Sequence, residues 1–344
     1  MSEIVFVTGA SGFLGSHVIN QLLEGGYRVR AAARGQKAIT LKAAYINHPL
    51  FEVVEISDIG SDQFPELLQN VDAVVHLAAP LPGREEVDTM FEARAINILR
   101  QAEKLGVKRF VVTGTTATAT ATPDNVRVTD DDWNPITKEL AIASKEVFDI
   151  YSAAKKYAEL AIWEWAEAHP HVEVTTIDPT FCYGPFTPQY PVPAGDFNSF
   201  STALNIYQFI QPNGTFPFSP VYNDVRDVAK AHVLALKSPP TSVIGRKRVI
   251  FAAPHGFVFK DALELIERKR PELKQRLIKT DLVTFDFDRF NVDFERIEKV
   301  AGLKKEDFYS FEETLLDTID SLLKVEEGWK KGGYVFSRIP TLLG

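Results

Sequence analysis

The chain has 344 residues, 45% of them hydrophobic, and a formal net charge of -8, which together predict a soluble protein of two lobes with a large buried core. The acidic balance, with a pI near 5.5, argues against nucleic acid as the main partner. A single cysteine, Cys182, excludes an intrachain disulfide and a cysteine metal site, so no metal is expected. It fits a reducing, cytoplasmic compartment, and no apolar run suggests a signal or a membrane span.

In chain order, Ile4-Val5-Phe6-Val7 reads as a buried strand. Glycines follow in Thr8-Gly9-Ala10-Ser11-Gly12-Phe13-Leu14-Gly15, and Leu14, Val18, Leu22 and Leu23 then share one helix face. Strand, glycine turn and helix form the setting of a dinucleotide site. Gly9 permits the turn, Gly12 lets a pyrophosphate approach the backbone, and Gly15 lets the helix pack close to the strand. Gly25-Gly26 closes the helix, and Tyr27–Ala33 reads as the second strand. An NAD-binding unit usually ends this strand with an acid. Here Ala33 is followed by Arg34, with Lys37 three residues on. A guanidinium can grip a 2′-phosphate, which points to NADPH; the alternative is a solvated loop arginine.

Phe51–Ile56 is the third predicted strand, followed by Asp58 and Ile59. Asp58 can accept from an adenine amino group while Ile59 covers the ring, or it can cap a helix. Val71–Leu77 is the fourth, and the small residues of Ala78-Ala79-Pro80 after it suit close approach to a cofactor. His76 reads as packed or hydrogen-bonded rather than catalytic. A helix over Arg84–Leu105 and a strand over Arg109–Thr113 sustain the alternation, so a parallel doubly wound sheet is expected.

Thr113-Gly114-Thr115-Thr116 then falls at the carboxyl end of the fifth strand, where open α/β sheets hold their ligands. A hydroxyl there can bond a substrate carbonyl. A long loop is expected over Pro123–Ala143, followed by a helix carrying Tyr151-Ser152-Ala153-Ala154-Lys155. Residues four apart share a helix face, and a nearby ammonium lowers a phenol pKa towards that of a working acid. Lys156 and Glu159 fit the solvated face of the same helix. Val172–Ile177 is the sixth strand, leading into Asp178-Pro179-Thr180-Phe181-Cys182-Tyr183-Gly184-Pro185. Tyr183–Asn223 is rich in aromatics, with no lysine or arginine and one acid, Asp196; it can line a pocket or form lobe core. Beyond it we expect helices over Asp224–Lys237, Lys260–Arg268, Asp293–Val300 and Phe311–Val325, a strand over Arg248–Ala252, and an irregular tail from Tyr334 to Gly344.

The glycine motif, Ala33-Arg34, Asp58-Ile59, Tyr151–Lys155, Asp178–Pro185 and Asp224-Val225-Arg226-Asp227-Val228-Ala229-Lys230-Ala231-His232 occur in this order over the first two-thirds of the chain. Together they resemble the extended short-chain dehydrogenase/reductase family, in particular its dihydroflavonol, cinnamoyl-CoA and fungal NADPH-dependent aldehyde or ketone reductases. The resemblance implies a Rossmann-type doubly wound parallel sheet with a smaller, mainly helical C-terminal substrate lobe. Residues 1–178, completed by 224–252, would bind NADP; 179–223 and 253–344 would form the lobe. It implies NADPH contacts at Gly9, Ser11, Gly12, Phe13, Leu14, Gly15, Arg34, Lys37, Asp58, Ile59, Ala78, Ala79, Pro80, Thr113, Tyr151, Lys155, Pro179, Thr180 and Cys182, and catalysis by Thr115, Tyr151 and Lys155. Thr115 stands where relatives usually have serine, keeping the hydroxyl but adding a branch. Of a motif that relatives often carry at 91–97, only Asn97 survives, and no role is assigned to it. The expected activity is NADPH-dependent reduction of a hydrophobic or aromatic aldehyde or ketone, by a monomer or homodimer. The rivals are a sugar-nucleotide epimerase or dehydratase of the same superfamily and a non-enzymatic NADP sensor.

Overall fold

Short runs of β-branched and aromatic residues between glycine-rich or polar turns form the strands, and amphipathic stretches between them form the helices. The computed structural model describes residues 2–78, 90–119 (backbone alone for 90–94), 128–254, 256–282, 292–336 and 339–341. The first half alternates strictly: β1 (Ile4–Thr8), α1 (Phe13–Glu24), β2 (Arg28–Ala33), α2 (Gly35–Ala44), β3 (Phe51–Glu55), β4 (Ala73–His76), α3 (Met90–Lys104) and β5 (Arg109–Thr113). Then come α4 (Lys138–Ser144), α5 (Val147–Ala168), β6 (Glu173–Pro179), β7 (Cys182–Tyr183), α6 (Leu204–Phe209), β8 (Asn223–Asp224), α7 (Val225–Ala235), α8 (Thr241–Ile244) and β9 (Lys247–Phe251). The chain finishes with α9 (Phe259–Lys269), α10 (Phe294–Ala301) and α11 (Phe311–Lys331).

Seven strands make one parallel sheet in the order β3-β2-β1-β4-β5-β6-β9. The direction of winding reverses between β1 and β4, which opens a crevice at their carboxyl ends. Side chains alternate between the two faces. Val5 and Val7 pack under α1, α7 and α10 with Val18, Leu22, Val228 and Ile297. Phe6 packs on the other side with Leu99 of α3 and Trp163 of α5. A third core, built largely of aromatic rings, fills the second lobe around α6, α9 and α11.

Several segments depart from expectation. α2 was not foreseen, because only Ala38 and Leu41 along it are buried and the periodic signal is weak. α4 lies inside the expected loop, started by Thr137, whose hydroxyl accepts from Leu140 N at 3.2 Å. α10 falls in the segment assigned to the second lobe, yet Ile297, Val300 and Ala301 pack into the core under the sheet. The tail is irregular where described, but it is docked: the Tyr334 and Phe336 rings lie 5.4 and 5.9 Å from that of Trp329. No helix among the described residues is long and apolar enough to cross a membrane, and no cluster among them could hold a metal ion.

Candidate active site

The glycine turn at the crevice is set by close approach. Gly9 has φ +66°, and a Cβ on it would lie 2.8 Å from Ala78 N. One on Gly15 would lie 2.3 Å from Gly9 O, and one on Gly12 3.1 Å from the same atom. Gly12 precedes α1 with no side-chain cap, so the first N–H groups of the helix suit an anion, and this cradle fits a pyrophosphate. The Phe13 and Leu14 side chains face inward. Phe13 packs edge-on against Phe186 at 5.3 Å and Leu14 against the core, which leaves their backbones for a ligand. Ser11 sits half-buried on the turn.

Arg34 and Lys37 are exposed at the start of α2. The side chain of Arg34 has no hydrogen bond or ion pair among the described residues, a geometry that fits capture of a 2′-phosphate. Asp58 closes a turn: its carboxylate accepts from Gly60 N and Ser61 Oγ, both at 2.9 Å. Asn97 donates to the carbonyls of Ile59 and Asp62, each at 3.0 Å, and so holds the segment carrying Asp58 and Ile59. Ala79 and Pro80 lie outside the described residues.

Two threonine–histidine pairs brace the strand ends. Thr8 stands opposite His76 in register. It accepts from Ala78 N at 3.1 Å and shares a hydrogen bond with His76 Nδ1 at 2.7 Å. Burial, aided by the Lys155 charge, pushes His76 down to about 4. His232 donates through Nδ1 to Val228 O and accepts at Nε2 from Thr113, both at 2.7 Å. The hydroxyl proton of Thr113, expected at the cofactor, is thus committed to His232.

Thr115, Tyr151 and Lys155 converge. Thr115 caps the turn 116–118, accepting from Ala117 N at 3.3 Å, and its hydroxyl is hydrogen-bonded to Tyr151. Lys155 Nζ lies 5.9 Å from the Tyr151 ring centre. Burial pushes the phenol above its ordinary pKa, the Thr115 bond draws it back in part, and Cys182 adds to the rise. The expected lowering by Lys155 is therefore not found: desolvation of the phenolate dominates, and Thr115 rather than Lys155 is what draws the pKa down. Burial also pushes Lys155 down to about 8, against the pull of Asp178 and Glu159.

Glu159 is not on a solvated face. It is 3% exposed and accepts from Arg248 Nε at 2.9 Å. Its spacing from Lys155 and its place one turn before Trp163 are the only sequence signals of this. On the far wall, Pro179 ends β6, and Thr180 accepts from Asn223 Nδ2 at 2.8 Å. Cys182 is pushed up to about 12 by burial, with Asp224 adding to the rise, so the thiol stays neutral.

The aromatic run Tyr183–Asn223 is mostly lobe core, with Tyr183, Phe200, Tyr207, Phe209 and Tyr222 at most 1% exposed. Phe218 is the exception at 48%. Its ring meets Phe148 at 5.1 Å and Phe181 at 5.2 Å, and Phe148 in turn lies 6.4 Å from Tyr151. Phe148 and Phe181, outside the aromatic run, were not anticipated in this wall. Arg84 and the side chain of Arg94, two cations that could reach an anionic substrate, lie outside the described residues.

Comparison with known proteins follows the same lines. An oxidoreductase of Schizosaccharomyces pombe is 32% identical over 95% of this chain and 99% of its own length. The NADPH-dependent methylglyoxal reductase of Saccharomyces cerevisiae is 29% identical over 94% of this chain and 98% of its own. A crystal structure of yeast methylglyoxal/isovaleraldehyde reductase with NADPH superposes with a TM-score of 0.79 at 29% identity, covering 94% of this chain and 99% of that one. Residues 5–250 match the model of a family that takes in the glycine turn, the tyrosine–lysine helix and β9, and the chain belongs to it: the NAD dependent epimerase/dehydratase family.

Proposed function

We propose that the chain is an NADPH-dependent reductase of hydrophobic aldehydes and ketones. The observation that carries this is the meeting of Thr115, Tyr151 and Lys155 beside a wall of three rings, Phe148, Phe181 and Phe218. The glycine turn and the α1 N-terminus would hold the pyrophosphate, and Arg34 with Lys37 the 2′-phosphate. Lys155 would bind the nicotinamide ribose, and Ile59, Ala78, Pro179 and Thr180 would flank the dinucleotide. Bound NADPH supplies the hydride.

Tyr151 is the proton donor. Its raised pKa keeps it protonated at neutral pH, and an acid must hold its proton until oxyanion charge develops. Thr115 shares a hydrogen bond with Tyr151 and would hold the same carbonyl oxygen. The ring wall desolvates apolar groups, each buried methylene contributing about 0.8 kcal/mol, and its rings carry no countercharge for an anion. The yeast relative's reported aldehydes, methylglyoxal and isovaleraldehyde, are uncharged carbonyl compounds of the kind such a site takes.

We also infer a cytoplasmic enzyme, monomeric or homodimeric, with residues 1–178, 224–252 and α10 as its nucleotide half. The test is kcat/KM with NADPH over a matched set of aryl and branched-alkyl aldehydes against keto acids of similar reactivity. A preference for the acids would overturn the substrate class, and no NADPH oxidation with any carbonyl would overturn the activity.

A further inference from the structure

Three charged side chains are buried beside Lys155: Glu159 on α5, Asp178 on β6 and Arg248 on β9 are 3%, 0% and 1% exposed. Glu159 gathers its donors on one oxygen. Its Oε1 accepts from Arg248 Nε at 2.9 Å, Thr176 Oγ1 at 3.0 Å and Trp163 Nε1 at 3.2 Å. Arg248 directs its remaining hydrogen bonds to Asp130 O, Asp132 O and Thr118 Oγ1. Glu159 Oε2 and both oxygens of Asp178 are buried without a hydrogen-bond donor among the described residues; Arg248 Nε lies 3.3 Å from Asp178 Oδ2 as an ion pair, but its N–H is given to Glu159. The two carboxyl groups instead contact each other. Both crowd Gly114, where a Cβ would lie 2.0 Å from Asp178 Oδ1 and 3.4 Å from Glu159 Oε2.

Ionised carboxylates only accept, so such a contact requires one proton between them. Glu159, with three donors on Oε1 including a guanidinium, is the better anion. The proton therefore sits on Asp178, donated to Glu159 Oε2. We propose that Asp178 is a positioning residue for Lys155: a neutral acid tied to Glu159, it borders the ammonium without forming an ion pair with it. The ammonium is thereby left to the cofactor ribose and Tyr151. The other charges facing this group are Arg248 on β9 and Asp130 in the loop before α4; His76 on β4 faces Lys155 and is neutral. The proposal rests on the reductase reading of the site.

Infrared spectroscopy reads the proton without reference to turnover. At about pH 8.5, above the about 6 of Asp130 and the about 7 of Asp227, the full chain should show a protonated-carboxyl band. That band should shift with isotope-labelled aspartate and vanish in Asp178→Asn; its absence overturns the proposal. Labelling of the unmutated chain keeps the test intact should the variant not fold. In turnover, Asp178→Asn exchanges one neutral donor for another, so the alkaline limb set by Lys155 should move by less than about half a pH unit. A fall of about one unit or more would make Asp178 the counter-ion of Lys155 and overturn the proposal. Asp178→Leu strands Glu159 Oε2 and should lower kcat/KM roughly tenfold; wild-type kcat/KM there also overturns it. No NADPH oxidation with any carbonyl compound would overturn the reductase reading itself, a failure told apart from the others because the infrared band is read without catalysis.

Discussion

The Tyr151 phenol is held between burial, which disfavours its anion, and the Thr115 hydroxyl, which steadies it. Replacing it with phenylalanine keeps the ring against Phe148 and removes only the proton. Tyr151→Phe should lose roughly 10²–10⁴ in kcat while NADPH binding, followed by fluorescence titration, is retained; near-normal turnover would remove Tyr151 from the chemistry. Gly114 makes a second prediction at this scale. Any side chain there must displace the Asp178 carboxyl, so Gly114→Ala should cost about 1–3 kcal/mol in denaturant unfolding, whereas Gly328→Ala, at an open position inside α11, should stabilise by about 0.5–1 kcal/mol. The sequence makes Tyr151 and Lys155 legible because spacing on a helix is a local property. It hides Glu159 and Arg248, since a charged residue is read as solvated unless its distant partner is known. That partner comes from β9, 89 residues away.

Elements with strong apolar patterns were legible: β1 and β5, buried on both faces, lie close to their expected bounds, while α11 starts where expected but runs on to Lys331. The pair β7–β8 was not, because two residues per strand carry no period. α7 shows how an element can carry a pH dependence. Asp227 in its first turn accepts from Tyr309 N at 3.0 Å through Oδ2, while Oδ1 has no partner among the described residues. Burial, with Asp224 adding repulsion, pushes it up to about 7. A carboxyl raised this way supports the fold fully below the unfolded value of about 4 and loses that support as pH rises through the folded value. Asp227→Asn never has to ionise. Its stability relative to wild type should therefore grow from about pH 5 to about pH 8, reaching roughly 2–4 kcal/mol at about 1.4 kcal/mol per unit. A difference that stays flat across thermal melts at these pH values would show that Asp227 is already ionised at low pH.

At the scale of the whole molecule, the parallel doubly wound sheet was legible from the βα alternation, and the structure supplies its strand order. The division of labour in the aromatic run was not. Ring composition reads the same for core and for pocket, and only the fold leaves Phe218 open while it buries Phe200 and Tyr207. The lobes meet at the nucleotide turn, where Phe13 touches Phe186 and Tyr190, so a ligand there should stabilise both together. At about 100 times its Kd, NADPH should add about 2.7 kcal/mol in a single transition. Two separate transitions, only one of them raised, would show that the lobes melt independently. In Arg34→Ala the same NADPH concentration should give a smaller shift, with affinity reduced by roughly 1.5–3 kcal/mol and NADH scarcely affected.

Arg34 stands outside the packing that holds the rest of the chain. It is exposed, sits at the start of a helix whose buried residues are Ala38 and Leu41, and has no side-chain partner among the described residues. Mutations at such surface positions usually lie within about 0.5 kcal/mol of neutral for stability. Selection on cofactor preference can therefore act here almost without constraint from folding. A lineage moving between NADPH and NADH would cross this position on level ground, whereas any change at Gly15 or Gly114 must first rebuild the core around it.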